Sequence, residues 1–472
     1  MNLKSHKKID FYARRGVKYT YIVFQLRKSS NTYYFAEAQR IEHELKLTYE
    51  TLGVKPLFDT TTTLEDSVTR ESSHRHGLDR YFMVSFFNEN VNAENYINEI
   101  LLAIALTNTV ELVYPASDPI SLRGGNQDSL SFEPAYTKPT TGHDTTTLSL
   151  ANYQPMQHYL WPAKHVSTGY KLGGIDGTAG LAYRGGRGEN VTLITNELDA
   201  WFTDHINLPH KRSLVEGNTK IGGDNSATVG IMAGQSIGRG IVGITPAAML
   251  GYASQGVQNL YHLYHRLKPG DIIQIGMQHL GVKMAYSDTP AYLPVEFESA
   301  WFDIISMLTD KGIHVIQSAG HGGVSLDHPA LKGKFDRSQR DSGAIIVGAL
   351  DPRTGLRLPF SNFGSRVDNA SWGTSVVTTS YGQATLFNQP NAWYINNYSG
   401  TAAATAIVAG AVACLSSIAI AYNKSLSPQQ LRLILTSNGT ILKENNSALM
   451  GTQPDLGRAI YAMFSLPERL EA

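Results

Sequence analysis

The chain has one cysteine, Cys414, among its 472 residues. A lone thiol cannot close an intramolecular disulfide, so the fold cannot rely on covalent staples. Placed in the apolar run Ala402–Ala421, it reads as a small core residue. Net charge is also missing, since Lys plus Arg is 40 and Asp plus Glu is 40. That balance gives no electrostatic reason to expect nucleic acid or an anionic membrane as partner. The 24 tyrosines and five tryptophans are dispersed and form no base-stacking motif. The amino terminus, MNLKSHKKIDFYARRG, is basic but no apolar stretch follows it, so it does not read as a secretory signal. No run is expected to reach the roughly 18 apolar residues of a membrane span. These absences lead us to expect a soluble, cytoplasmic protein, with non-classical export left open.

Metal signatures are sparse as well. His74, His76, His262, His265 and His279 lack ligand spacing, and the pair His262 and His265 reads as a solvated helix face. Asp310, Asp327 and Asp336 are the acids best placed for a structural calcium ion, but no loop has the oxygen density of a site. No cofactor is expected.

What is present is enough apolar material for a large core: hydrophobic residues make up 42%, and 43 glycines fit a turn-rich α/β protein. At roughly 100–200 residues per domain, the length implies at least two domains. Residues 1–17 are polar and basic and read as a flexible terminus. From 18 to 115 the pattern is strand Tyr19–Leu26, helix Tyr33–Leu52, strand Tyr81–Phe87, helix Ala93–Leu106 and strand Val110–Tyr114. That is a small α+β domain. Residues 116–152 carry Pro119, Pro134, Pro139 and a Thr-rich patch, the composition of a linker.

Residues 153–472 alternate strand and helix. Strands are expected at Val191–Thr195, within Gly240–Leu250, and at Asp271–Ile275, Ile313–Ser318 and Gly343–Leu350. Helices are expected from Ala227, over Glu296–Leu308, over Thr401–Tyr422, and from Ser427-Pro428 to Leu435. The pattern predicts a mainly parallel twisted sheet covered by helices on both faces.

Several segments in this region resemble motifs of the subtilisin-like serine peptidases (subtilases), in family order. Ser399–Gly410 (SGTAAATAIVAG) is similar to the nucleophile motif, and Asp224–Gly234 (DNSATVGIMAG) to the histidine motif. Gly240–Pro246 resembles the glycine-rich strand that follows, and Ser318–Gly323 the turn that supplies the oxyanion asparagine. Arg340–Ala349 and Phe360–Val367 also resemble the family. The resemblance implies a subtilisin-like three-layer fold, and it makes the preceding α+β (ferredoxin-like) domain similar to the family's propeptide, which assists folding and covers the cleft.

Carried over motif by motif, the resemblance puts Ala402 at the nucleophile, Asp224 at the general base and His321 at the oxyanion asparagine. Asn196 falls at the acid position, and a slip of one residue puts Glu197 there instead. Alanine has no nucleophilic atom, and a carboxylate with an ordinary pKa of about 3.9 is a weak base. An alternative triad would have to come from His205, His210, Ser226 or Ser399. The resemblance further implies a peptide-binding cleft walled by Gly276, Met277 and Gln278 on one side and Ser318, Ala319 and Gly320 on the other, with Gly400 and Thr401 at its floor.

The expectation is a pseudoprotease that binds a peptide or protein partner in a regulatory, scaffolding or substrate-carrying role. Its own amino-terminal domain or linker is an equal candidate for filling the cleft. Two further readings stay open: an enzyme repurposed around an Asp224/His321 acid–base pair, and a structural assembly component. Within the replaced site, the Asn196 amide is expected to donate to Asp224, and His321 to approach it directly or through water.

Overall fold

The structure, a computed structural model, describes residues 6–30, 33–49, 52–60, 66–86, 94–122, 150–284, 290–389, 391–442 and 449–466. The amino-terminal domain runs β1 (Tyr21–Leu26), α1 (Tyr34–Lys46), β2 (Leu52–Pro56), α2 (Ser67–Arg75), β3 (Tyr81–Phe86), α3 (Glu94–Ala105) and β4 (Val110–Ala116). Its four strands form an antiparallel sheet in the order β2-β3-β1-β4. Ile97, Ile100, Leu101 and Ile104 recur at helical spacing on α3 and are all buried. The expected long first helix stops at Lys46, because the residues from Leu52 pair with β3 instead.

Residues 6–17 are not a loose terminus. Ile9 bridges to Val113, Phe11 stacks on Tyr114 at 5.4 Å, and Asp10 pairs with Lys334 of the second domain at 2.5 Å. The apolar residues of this segment outweigh its basic composition. A single buried cluster joins Phe11, Val23, Phe58, Tyr81 and Tyr114 to Tyr261, Phe297 and Trp301 of the second domain. The two domains therefore share a core.

The strand β5 (Ile120–Ser121) follows β4 directly, inside the segment expected to be linker. The Thr-rich patch lies outside the described residues. The second domain then runs β6 (Thr192–Asn196), β7 (Leu214–Glu216), α4 (Gly223–Ala233), β8 (Met249–Ala253), α5 (Val257–Arg266) and β9 (Ile272–Ile275). After these come β10 (Met277–Lys283), β11 (Pro290–Pro294), α6 (Ser299–Asp310), β12 (His314–Ser318), β13 (Ile345–Asp351), β14 (Leu356–Arg357) and β15 (Asn369–Trp372). The chain continues through β16 (Val376–Thr379), β17 (Phe387–Gln389), β18 (Ala392–Tyr398) and α7 (Thr401–Ala421). It ends with α8 (Pro428–Asn438), β19 (Thr440–Ile441), β20 (Thr452–Gln453) and α9 (Leu456–Phe464).

Its main sheet has the order β19-β20-β15-β13-β12-β9-β6-β8-β7, parallel except for β19 and for β14, which adds to β13. The central strands, such as IIQI in β9, are buried at every residue, as expected of a parallel sheet covered on both faces. Of the strand expected within Gly240–Leu250, only Met249 and Leu250 fall in β8. Helix α8 starts at a complete capping box between Ser427 and Gln430, with Pro428 in its first turn.

Helix α7 corrects one expectation. Among the described residues it is long and apolar enough to cross a membrane, yet here it is almost entirely buried as the core helix of the domain. Its small residues let it approach its neighbours closely. A Cβ built on Gly410 would lie 2.6 Å from the Ile244 side chain.

A candidate peptide cleft with a carboxyl cluster

The site lies at the carboxyl ends of β6, β9 and β12, where α4 and α7 begin. Ala402 is the second residue of α7 and is 3% exposed. The helix is entered through Gly400, whose φ of 125° suits glycine. The first backbone N–H groups of a helix have no partner within it. Here the Thr401 N–H donates to His321 Nε2 at 2.8 Å. That bond requires an unprotonated Nε2, so the neutral ring carries its proton on Nδ1. The ring also lies against Phe360, at 4.6 Å between centroids. Ser318 Oγ donates to Thr401 Oγ1 at 2.7 Å and accepts from the Gly320 N–H at 2.9 Å. Asn362 Nδ2 donates to the Ala319 carbonyl at 2.7 Å and fixes the same turn.

Asp224 occupies the first turn of α4, where a carboxylate faces the positive end of the helix dipole. Its Oδ2 accepts from Ser121 Oγ at 2.6 Å. Ser121 belongs to β5, which pairs antiparallel with β10 in the register Met277↔Ser121 and Gln278↔Ile120. The Gln278 side chain ties this pairing to the opposite wall: Nε2 donates to the Ser121 carbonyl at 3.1 Å, and Oε1 accepts from the His321 N–H at 2.8 Å. Ile120 is 38% exposed, whereas Leu122 is 1% exposed and belongs to the buried cluster that contains Ala402. The linker was one expected occupant of the cleft among several. The serine that meets Asp224 was missed, because two residues are too few to show a strand period.

The expected contact between Asn196 and Asp224 also needs correction. The Asn196 amide does not donate to Asp224; it donates to the carbonyls of Ala253 and Ser254, at 3.0 and 2.9 Å. Side chains alternate along a strand, so its neighbour points the other way. Glu197 is buried and its Oε1 accepts from Gln274 Nε2 at 3.1 Å. Glycine at 276 makes room for it, since a Cβ there would stand 1.8 Å from Glu197 Oε1. Burial pushes the Glu197 carboxyl well above its ordinary range, the Gln274 bond opposes this, and the charges of Asp224 and Asp199 push it further up. These effects favour its uncharged form. Near it Asn225 Oδ1 and Gln274 Oε1 are buried without a hydrogen-bond partner.

The residues considered for a second triad do not come together. His205 Nε2 bonds the Trp393 carbonyl and its Nδ1 accepts from the Asn207 N–H. His210 bonds the Thr203 carbonyl, Ser226 Oγ donates to the Gly222 carbonyl, and Ser399 Oγ to the Gly373 carbonyl. Asp310 meets His76, Asp327 meets Ser365, and Asp336 meets Ser338, each in its own local bond. Among the described residues, no group of three or more His, Cys, Asp or Glu side chains is arranged to hold a metal ion.

Comparison with known proteins agrees with this architecture. The subtilase family (peptidase S8) matches residues 228–451. Fervidolysin from Fervidobacterium pennivorans, a keratinolytic enzyme related to subtilisin, superposes with a TM-score of 0.56 at 14% identity. That match covers 97% of this chain and 63% of fervidolysin, so the chain spans under two thirds of that protein. A protease from Pseudoalteromonas arctica matches 66% of this chain over 98% of its own, at 15% identity and a TM-score of 0.48. No curated protein matches the sequence. Residues 228–451 thus form a subtilase-family domain, and the chain carries the subtilisin-like fold with a small α/β domain in front of it.

Proposed function

We propose that this chain is a non-catalytic subtilase that holds an extended peptide strand in its cleft instead of cutting it. The observation that carries the reading is a strand, Ile120–Ser121, laid on β10 beside a helix start whose second residue is Ala402. Strand addition supplies main-chain hydrogen bonds, and alternate side chains supply selectivity. With alanine at the place of the nucleophile, no acyl-enzyme forms. With Asp224 at the place of the base, no imidazole is there to carry a proton. The strand in the cleft is the chain's own, so a partner competes with an intramolecular ligand at high effective concentration, of order millimolar for a short connection. We read this competition as the regulatory feature of the protein.

The acid–base reading of Asp224 and His321 draws less support. His321 Nε2 is engaged by the Thr401 N–H, and Asp224 Oδ2 by the Ser121 hydroxyl. The test is digestion of unfolded casein and a peptide library by the full chain. We expect no cleavage above background; turnover abolished by Ser399→Ala or Asp224→Ala would overturn the proposal.

A further inference from the structure

The bond between Ser121 and Asp224 carries more than occupancy. We infer that Asp224 reads a hydroxyl side chain, so that the cleft prefers extended peptides with serine or threonine at that strand position and an apolar residue directly after it. The inference rests on the peptide-binding reading and names the ligand class for that same site.

The geometry separates the positions of the strand. Pro119 and Leu122 are buried, while Ile120 is exposed, so selectivity at Ile120 is weak. The Ser121 hydroxyl meets Asp224 at 2.6 Å, within the range of a charge-assisted O–H···O⁻ bond. Gln278 holds the carbonyl of the same residue, which fixes how deep its side chain reaches. An apolar side chain there would leave a partly desolvated carboxylate without that bond. An acidic one would add a like charge beside Asp224. Asp224 is thus a specificity residue at the place where the resemblance puts a base.

The experiment uses the full chain carrying Leu122→Asp, which removes a buried anchor and releases the strand. A fluorescein-labelled peptide of residues 117–122 is titrated by anisotropy, beside versions with threonine, alanine or lysine in place of the serine. The serine and threonine peptides are expected to bind about ten- to a hundredfold more tightly than the alanine peptide, as expected for loss of a hydrogen bond to a charged group. The preference is expected to vanish in Asp224→Ala. Alanine or lysine peptides binding as well as serine would overturn the inference and leave peptide binding standing. Binding by none of them, with strand release verified by hydrogen exchange at the β10 amides, would overturn both. A second measurement covers failure of Leu122→Asp to fold: a double-mutant cycle of Ser121→Ala and Asp224→Ala in the otherwise unmodified chain, read by exchange at the β10 amides. Non-additive effects are expected, and additive ones overturn the inference.

Discussion

Two groups of buried carboxyls on the main sheet are treated in opposite ways. Around Arg366 every partner is supplied: the guanidinium pairs with Asp368 at 2.5 Å and with Glu296 at 3.7 Å. Glu296 also accepts from Gln317 at 2.6 Å and Ser342 at 2.5 Å. Around Glu197, among the described residues, no cation is paired with the acid. Its charge is suppressed by burial, and oxygens of Asn225 and Gln274 stay unpaired nearby. Desolvated charge is tolerated when paired; left unpaired, it shifts towards the neutral form. The first group is arranged for stability. The second keeps unsatisfied polarity close to the pairing of β5 with β10.

The comparison predicts first that Arg366→Met costs about 3–5 kcal/mol, because it removes the buried cation that Asp368 and Glu296 share. Urea unfolding measures this, and a loss under about 1 kcal/mol would mean that the first group is not the stabilising one.

Next in size is an effect of acid. His279 and Glu298 lie 3.4 Å apart without a hydrogen bond to either imidazole nitrogen, and burial lowers His279 to about 3. The unfolded histidine, near 6.5, binds more protons than the folded one below that pH, so stability falls as pH drops from about 6.5 towards 3. The expected slope is about 1.4 kcal/mol per pH unit. His279→Phe should flatten the acid limb by that amount; an unchanged slope would count against a neutral buried ring.

Glu197→Gln gives a smaller change of opposite sign. A carboxyl raised in the folded state makes stability decline as pH rises above about 4.5 towards the folded value. The isosteric amide should remove that decline and leave the variant more stable than the unmodified chain at pH 8, read by urea unfolding. A loss at pH 8 would mean that Glu197 is charged in the folded protein.

The smallest effect expected is that of Ala402→Ser on casein turnover. Members of a catalytic triad act as a unit, so restoring one of them leaves the reaction without a base. Measurable hydrolysis by this variant would show that Asp224 can serve as one.

Much of the architecture is legible in the residues. Runs such as DIIQI and GAIIVGAL mark buried parallel strands, and the small residues of α7 mark a tightly packed core helix. Local pattern could not decide between Asn196 and Glu197 at the site. Both are polar, and only the course of the chain as it leaves β6 distinguishes the one beside Asp224. The role of residues 9–13 was hidden for another reason: their apolar side chains sit in a basic stretch and find partners about a hundred residues away or more, as in Ile9–Val113 and Phe11–Phe297.

By itself the sequence determined the periodicity of the elements and the chemical types placed at the cleft: alanine at 402, aspartate at 224, histidine at 321. Those are local properties, written in spacing and in side-chain chemistry. Tertiary structure alone decided that Thr401 donates to His321, that Glu197 turns inward beside Asp224, and that Ser121 crosses the cleft to meet that carboxylate. The Ser121–Asp224 pairing closes a loop of about a hundred residues, and its energy comes from Met277, Gln278 and Asp224 together. No stretch of chain contains all of those partners, so its local pattern cannot encode them.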